Sequence, residues 1–227
     1  VLEFSGVQGQ DDWHHGYRNY TLDGGGDHYD PYADFIAFGA TVWRGTEWRL
    51  PNQGGAPWTL LGRTSTHPNG TNSRPNEEHW TVRRWVPTDL DGTTPVAITW
   101  RARKTNTRND GVTGSLHING VMVDSRVVLG TDTTGEFRTY YANLTPGDIV
   151  DLALSPEGVA NRSDANDSST TRFWVSNVIP ANPAQPDGTP FVPFSGTPLI
   201  TQLGQDLNGE QPGDNMGNSV SMNANGH

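Results

Sequence analysis

The side chains best able to recognise a ligand in this chain are flat rings placed among hydrogen-bonding groups. Trp13, Tyr17, Trp48, Trp58 and Trp85 are the candidate rings, and His67, Arg83, Arg84, Asn109 and Asp110 are the candidate polar partners. A pyranose has apolar C–H faces and hydroxylated rims. Rings lie against the faces at low entropic cost, while Arg, Asn, Asp and His bond the rims. The set this chemistry selects is Trp13, Tyr17, Trp58, His67, Arg83, Arg84 and Trp85 as carbohydrate-binding residues, with no catalytic residue assigned. The planar fork of Arg83 or Arg84 also suits a carboxylate, so an acidic sugar is within its chemistry. The net charge of −10 argues against a polyanionic glycan unless the site is locally basic.

Other chemistries find less support. Glycoside hydrolysis or lyase chemistry needs two carboxylates, or a Tyr, His and Arg set, in one cleft. Glu77-Glu78-His79 is the compact acid–base cluster, and it reads as a polar turn entering a strand. A nucleophilic serine elbow of the form G-x-S-x-G is absent, as is an H-E-x-x-H zinc motif. His14 and His15 are adjacent, so on a strand they face opposite ways and do not share one ion. Calcium fits the acidic loops better, since hard cations take several loop oxygens. Asp11, Asp12, Asp23, Asp27, Asp30 and Asp34 crowd the early segment, and Asp164 and Asp167 precede the final strand.

The elements that carry these residues read as strands. With 27 Gly and 16 Pro in 227 residues, turns are frequent and long helices are disfavoured. Short β-type runs cover 34–43, 79–86, 95–102, 115–123, 137–142, 148–154 and 172–179. Turn signals separate them, including Asp91-Gly92, Asn109-Asp110-Gly111 and Pro146-Gly147-Asp148. Asn119-Gly120 between two apolar runs predicts a two-residue hairpin. The spacing points to a β-sandwich or barrel. Along 149–154, Val150, Leu152 and Leu154 form the expected core face. In 81–86 the pleat separates Arg83 from Arg84, so one arginine must point inward or to an edge, with Asp148 and Asp151 as its candidate partners. The aromatic, His- and Gly-rich residues 8–32 and the Trp-rich 43–68 are expected to be long ordered loops rather than strands.

Composition removes several classes. An acidic chain without a basic stripe repels phosphates, so nucleic acid is not an expected partner. No run approaches the roughly 18 apolar residues of a membrane span. With 0 Cys, disulfides and thiolate chemistry are excluded. Lys104 is the one lysine among 15 basic residues, which leaves little room for lysine catalysis. The opening Val-Leu-Glu-Phe has no leader character, so a leader is expected to have been removed or the chain to be cut from something longer.

Pro recurs at 180, 183, 186, 190, 193 and 198, so 180–200 reads as an extended linker between a domain at 1–179 and a short tail at 201–227. The tail residues 202–210, Gly213-Asp214, 217–221 and Asn225-Gly226 resemble the opening of an FG-GAP-type propeller repeat. One such blade cannot bury its faces alone.

A second resemblance covers residues 4–179. Phe4-Ser5-Gly6-Val7-Gln8-Gly9, Trp13-His14-His15-Gly16-Tyr17, His67-Pro68, 80–85, Gly147-Asp148 and Asp167-Ser168-Ser169-Thr170 with Phe173 follow in an order similar to non-catalytic, carbohydrate-binding-module-like jelly-roll domains of bacterial secreted and surface proteins. The resemblance implies an all-β antiparallel sandwich (jelly roll) with long aromatic-rich loops. It also implies polysaccharide as partner and an extracellular or cell-surface setting. A structural Ca2+ tying the first and last strands would fall near Asp167, with Asp12 and Asp164 completing the expected metal set. The alternatives are an adhesive, self-associating module and a jelly-roll hydrolase or lyase.

Overall fold

The computed structural model describes residues 4–25, 28–50 and 55–194. The propeller-like tail and the last residues of the expected linker lie outside them. The strands are β1 Trp13–Asn19, β2 Phe35–Ala37, β3 Glu47–Arg49, β4 Leu60–Gly62, β5 Ser65–His67 and β6 His79–Trp85. They continue with β7 Thr94–Lys104, β8 Gly111–Ile118, β9 Val121–Leu129, β10 Arg138–Leu144, β11 Val150–Ser155 and β12 Ser169–Ser176. They form two antiparallel six-stranded sheets, ordered β2-β1-β6-β11-β8-β9 and β10-β7-β12-β5-β4-β3. The all-β sandwich expected from the turn spacing is therefore the architecture found. Among the described residues the helical content is one 3-10 turn, Ala40–Val42, where the predicted run 34–43 breaks at Gly39.

The main core lies between the sheets. Val150, Leu152 and Leu154 of β11 meet Val96, Ile98 and Trp100 of β7, all at most 2% exposed. That is the face the alternation assigned. Burying such side chains is worth about 1.5–3 kcal/mol each. Asn119 and Gly120 take φ of 50° and 84°, the left-handed pair of a two-residue hairpin, and join β8 to β9.

Two expectations fail. Trp13 and Tyr17 lie on β1 and Trp48 on β3, where loops were expected. The strand WHHGYRN has both of its faces covered. Its inner face meets the core, and Tyr29 and Phe35 lie over the outer face of its sheet, against Arg84 of neighbouring β6. The inward face itself carries polar His15 and Asn19 beside Trp13 and Tyr17, so polar and apolar residues do not alternate. The second concerns residues 180–194, which are docked on the sandwich rather than free. The Gln185 side-chain amide accepts from Tyr141 N (2.9 Å) and donates to Tyr141 O (2.8 Å), pairing with edge strand β10 as a strand would. Phe191 stacks on Tyr141 at 5.8 Å, and Asn143 Oδ1 accepts from Phe194 N at 2.8 Å.

Candidate functional site

Two large cavities hold residues singled out from the sequence. The first is a groove of about 670 Å³ that brings Trp58 and His67 together. The Trp58 backbone N donates to Asn69 Oδ1 at 2.9 Å, and the fully buried Asn69 amide donates in turn to Glu77 O at 2.8 Å. The strand-entry residue is thereby tied to the 69–77 loop. Buried Asn side chains that satisfy backbone groups fix loops in this way. The Trp58 indole is half-buried. Gly55, at φ 108°, backs its far edge, and a Cβ there would stand 3.2 Å from the ring. His67 lies 5.9 Å away and the Arg49 guanidinium 6.0 Å away, each measured to the Trp58 ring. Burial lowers the His67 pKa, so its ring is neutral near pH 7 with Nδ1 at 2.6 Å from Pro68 O. Asn72 and Ser73 line the opposite side. Both are held by Asp164 Oδ1, at 2.7 Å and 2.8 Å. Gly70 permits this arrangement, because a Cβ at that position would lie 2.5 Å from Arg162 O.

The second cavity, of about 600 Å³, is a side mouth into the sandwich where β12 runs beyond the β4–β5 turn. It joins Trp13 and Arg83 with Phe173 and His15. Trp13 is 7% exposed and meets Phe173 edge-on at 5.0 Å, so it is a wall and not an open shelf.

The other expected ligand-reading residues are elsewhere. Arg84 grips Asp151 with two bonds of 2.8 Å, and Tyr29 OH closes the triad at 2.8 Å from Asp151. Asp151 is therefore the partner of the outward arginine, and the inward Arg83 has no carboxylate. Asp148 bonds Asn119 and Thr145 instead. Tyr17 belongs to a second core cluster and sits 5.6 Å from Phe38. Trp85 packs against the main core and borders a small cleft with Asp11, Asp12 and Asp89. Asn109 and Asp110 tie the 110 turn to residues 160–163.

The expected calcium ligands do not form one site. Among the described residues no group of three His, Asp or Glu converges with metal-binding geometry. Asp12 accepts from Thr88, and Asp164 is taken by Gly70, Asn72 and Ser73. Asp167 faces the Lys104 ammonium, whose Nζ lies 2.7 Å from both Asp167 Oδ1 and Asn166 O, with both side chains fully buried. An ammonium thus stands where the acidic loop would present its oxygens to a cation, and the residues do not fit the ion. Burial pushes the Asp167 carboxyl up to about 7 against the pull of Lys104. Glu78 is also internal, 2% exposed and bonded to Trp80 and Arg162, while Glu77 bonds Asn19.

No known protein family matches the chain, and no curated protein does. Among solved structures it is similar to a family 35 carbohydrate binding module from Clostridium thermocellum, with 18% identity and a TM-score of 0.29, over 57% of this chain and 87% of that one. It is also similar to a CBM35 from Paenibacillus barcinonensis (11% identity, TM-score 0.28, 56% and 84% covered). A beta-glucosidase from Kluyveromyces marxianus is a third (10%, TM-score 0.34, 78% and 19%). Likenesses at this level carry nothing about ligand or site residues. No described helix is long and apolar enough to cross a membrane.

Proposed function

We propose that this domain is a non-catalytic carbohydrate-recognition module that takes polysaccharide in the groove beside Trp58, within a larger secreted or cell-surface protein. The observation that carries the reading is the half-buried Trp58 ring in an open groove, braced by Asn69 and Gly55 and flanked by Arg49, His67, Asn72 and Ser73. A ring held in place supplies apolar contact at little entropic cost. The polar groups around it match a hydroxylated rim. The groove carries both signs, with Glu47 beside Arg49, which suits hydroxyls better than a row of charges.

Affinity electrophoresis on a panel of soluble and insoluble glycans tests this. Retardation by at least one glycan is expected, and Trp58→Ala should weaken it by about 2 kcal/mol, roughly thirtyfold in Kd. Mobility unchanged by every glycan refutes the reading. Release of reducing ends from the same panel would transfer it to the hydrolase or lyase class. Self-association is the second reading, favoured by terminal strand β9. It exposes Val127 by 46% and Leu129 by 52%, and an unpaired strand edge is a template for another chain. Light scattering across a concentration series reads it directly.

A further inference from the structure

Arg83 is the unusual charge in this fold. Its side chain crosses from β6 to the opposite sheet. There Nε donates to Thr171 Oγ1 at 2.9 Å and Nη2 to Gly62 O at 2.6 Å. These partners are neutral, and no ion pair to Arg83 forms among the described residues. It is 6% exposed, and burial alone lowers its pKa to about 10 with no carboxylate acting the other way. A buried charge without a counter-charge is costly. Arg84, one residue along and on the other face, has the bidentate carboxylate that Arg83 lacks.

Arg83 does not face solid protein. It lines the side-mouth cavity of about 600 Å³, which contains no Asp or Glu. His15, 2% exposed, lines the same cavity and leaves its Nδ1 without a hydrogen-bond partner. Arg63 and Arg172 add two more positive charges at the rim. Phe4, Trp13 and Phe173 supply flat apolar walls, with the Arg83 guanidinium 5.5 Å from the Phe4 ring centre. In a chain of net charge −10 this is a local inversion of sign.

We infer that this side mouth is a binding site for a carboxylate carried on a flat, apolar-faced body, with Arg83 as its counter-charge and His15, Arg63 and Arg172 around it. An uronate at the end of a glycan and a free aromatic acid share that chemistry. The site is separate from the Trp58 groove and does not depend on it.

The test uses the intact chain and follows the Trp13 indole N–H and the Arg83 Nε–H by NMR. Sodium glucuronate and sodium benzoate are titrated, with methyl glucoside and benzamide as neutral counterparts at matched ionic strength. Saturable shifts of both signals by at least one carboxylate are expected at concentrations on the order of 10 mM or below, with none from the neutral molecules. Response to glucuronate names the glycan source, and response to benzoate alone names a free acid. Arg83→Met should weaken binding by about tenfold or more, and Trp58→Ala should leave it unchanged. If Arg83→Met does not fold, the Arg63→Ala/Arg172→Ala double variant decides. A several-fold loss supports the site and an unchanged affinity overturns it. Silence from both carboxylates, or equal shifts from the neutral molecules, also overturns it.

Discussion

Replacing His15 with phenylalanine should flatten the acid limb of the stability curve by one proton. His15 sits between Phe4, edge-on at 4.7 Å, and Trp48, nearly parallel at 6.5 Å, and phenylalanine keeps that ring geometry. Burial, then the nearby Arg83, holds the imidazole pKa down to about 3 against an ordinary 6.5. The folded state therefore refuses a proton that the unfolded chain accepts. Above pH 6.5 neither state is protonated and the contribution is complete. Below pH 6.5 it is lost as pH falls toward 3, at about 1.4 kcal/mol per pH unit. Between pH 6.5 and pH 5 the loss from His15 is about 2 kcal/mol. His67, His79 and His117 are also held low by burial and steepen the same limb. Asp167 acts with the opposite sign. Its raised value makes a contribution that is present below about 4 and lost as pH rises through about 7. That opposing part cancels when wild type and His15→Phe are compared. Urea unfolding at pH 7.5 and pH 5 is the assay. The stability gap between the two proteins should shift by about 2 kcal/mol in favour of the variant at pH 5. A shift below about 0.5 kcal/mol would mean that His15 is protonated in the fold and the reasoning from burial fails.

Asp151→Ala should cost about 3–5 kcal/mol in urea unfolding, because it leaves Arg84 and Tyr29 facing an empty place in the covered outer face. Adding Arg84→Met should recover a large part of that loss, and a strictly additive double variant would contradict the pairing. Gln185→Ala should release residues 180–194 from β10, seen as roughly tenfold faster amide exchange at Gly188 and Phe191 with little change in global unfolding. Unchanged exchange would show that Phe191 on Tyr141 suffices to hold the segment.

How much was legible depended on whether residue types alternate along a strand. β8, β9 and β11 were readable because their alternation and the Asn119-Gly120 pair follow local rules. β1 was not, since its inward face carries polar His15 and Asn19 beside Trp13 and Tyr17, so residue type does not mark the core side. A covered outer face, with Tyr29 over Asp151 and Arg84, misled the arginine pairing. The pleat correctly separated Arg83 from Arg84, but the candidate carboxylates were offered to the inward one, and Asp151 lies on the outer face. Within the candidate site, Trp58 with His67 and Trp13 with Arg83 were named from residue type, and the fold sorts them into two different cavities. Phe173, Arg63 and Arg172 reach the side mouth only through the long-range placement of β12 beside the β4–β5 turn, which no local pattern encodes. The proline spacing at 180–194 announced an extended chain, whereas the segment folds back on itself, Ala184 opposite Pro190 with a turn at Gly188, and docks that hairpin on β10. That it is bound follows from a glutamine side chain acting as a strand.

The position of β12 also governs how the molecule can be assembled. In its sheet the last of the described strands sits in the middle, paired with β7 on one side and β5 on the other. A nascent chain emerging from the ribosome can make the β3-β4-β5 ribbon and the β7-β10 pair early, but these two pieces have no hydrogen bonds to each other until Ser169–Ser176 arrives. Closure is then a single late event that joins residues far apart in sequence, the kind of step that makes folding slow. Until it happens, the seam between the two pieces is open and the half-built sheet shows both of its raw borders to chaperones and to other nascent chains.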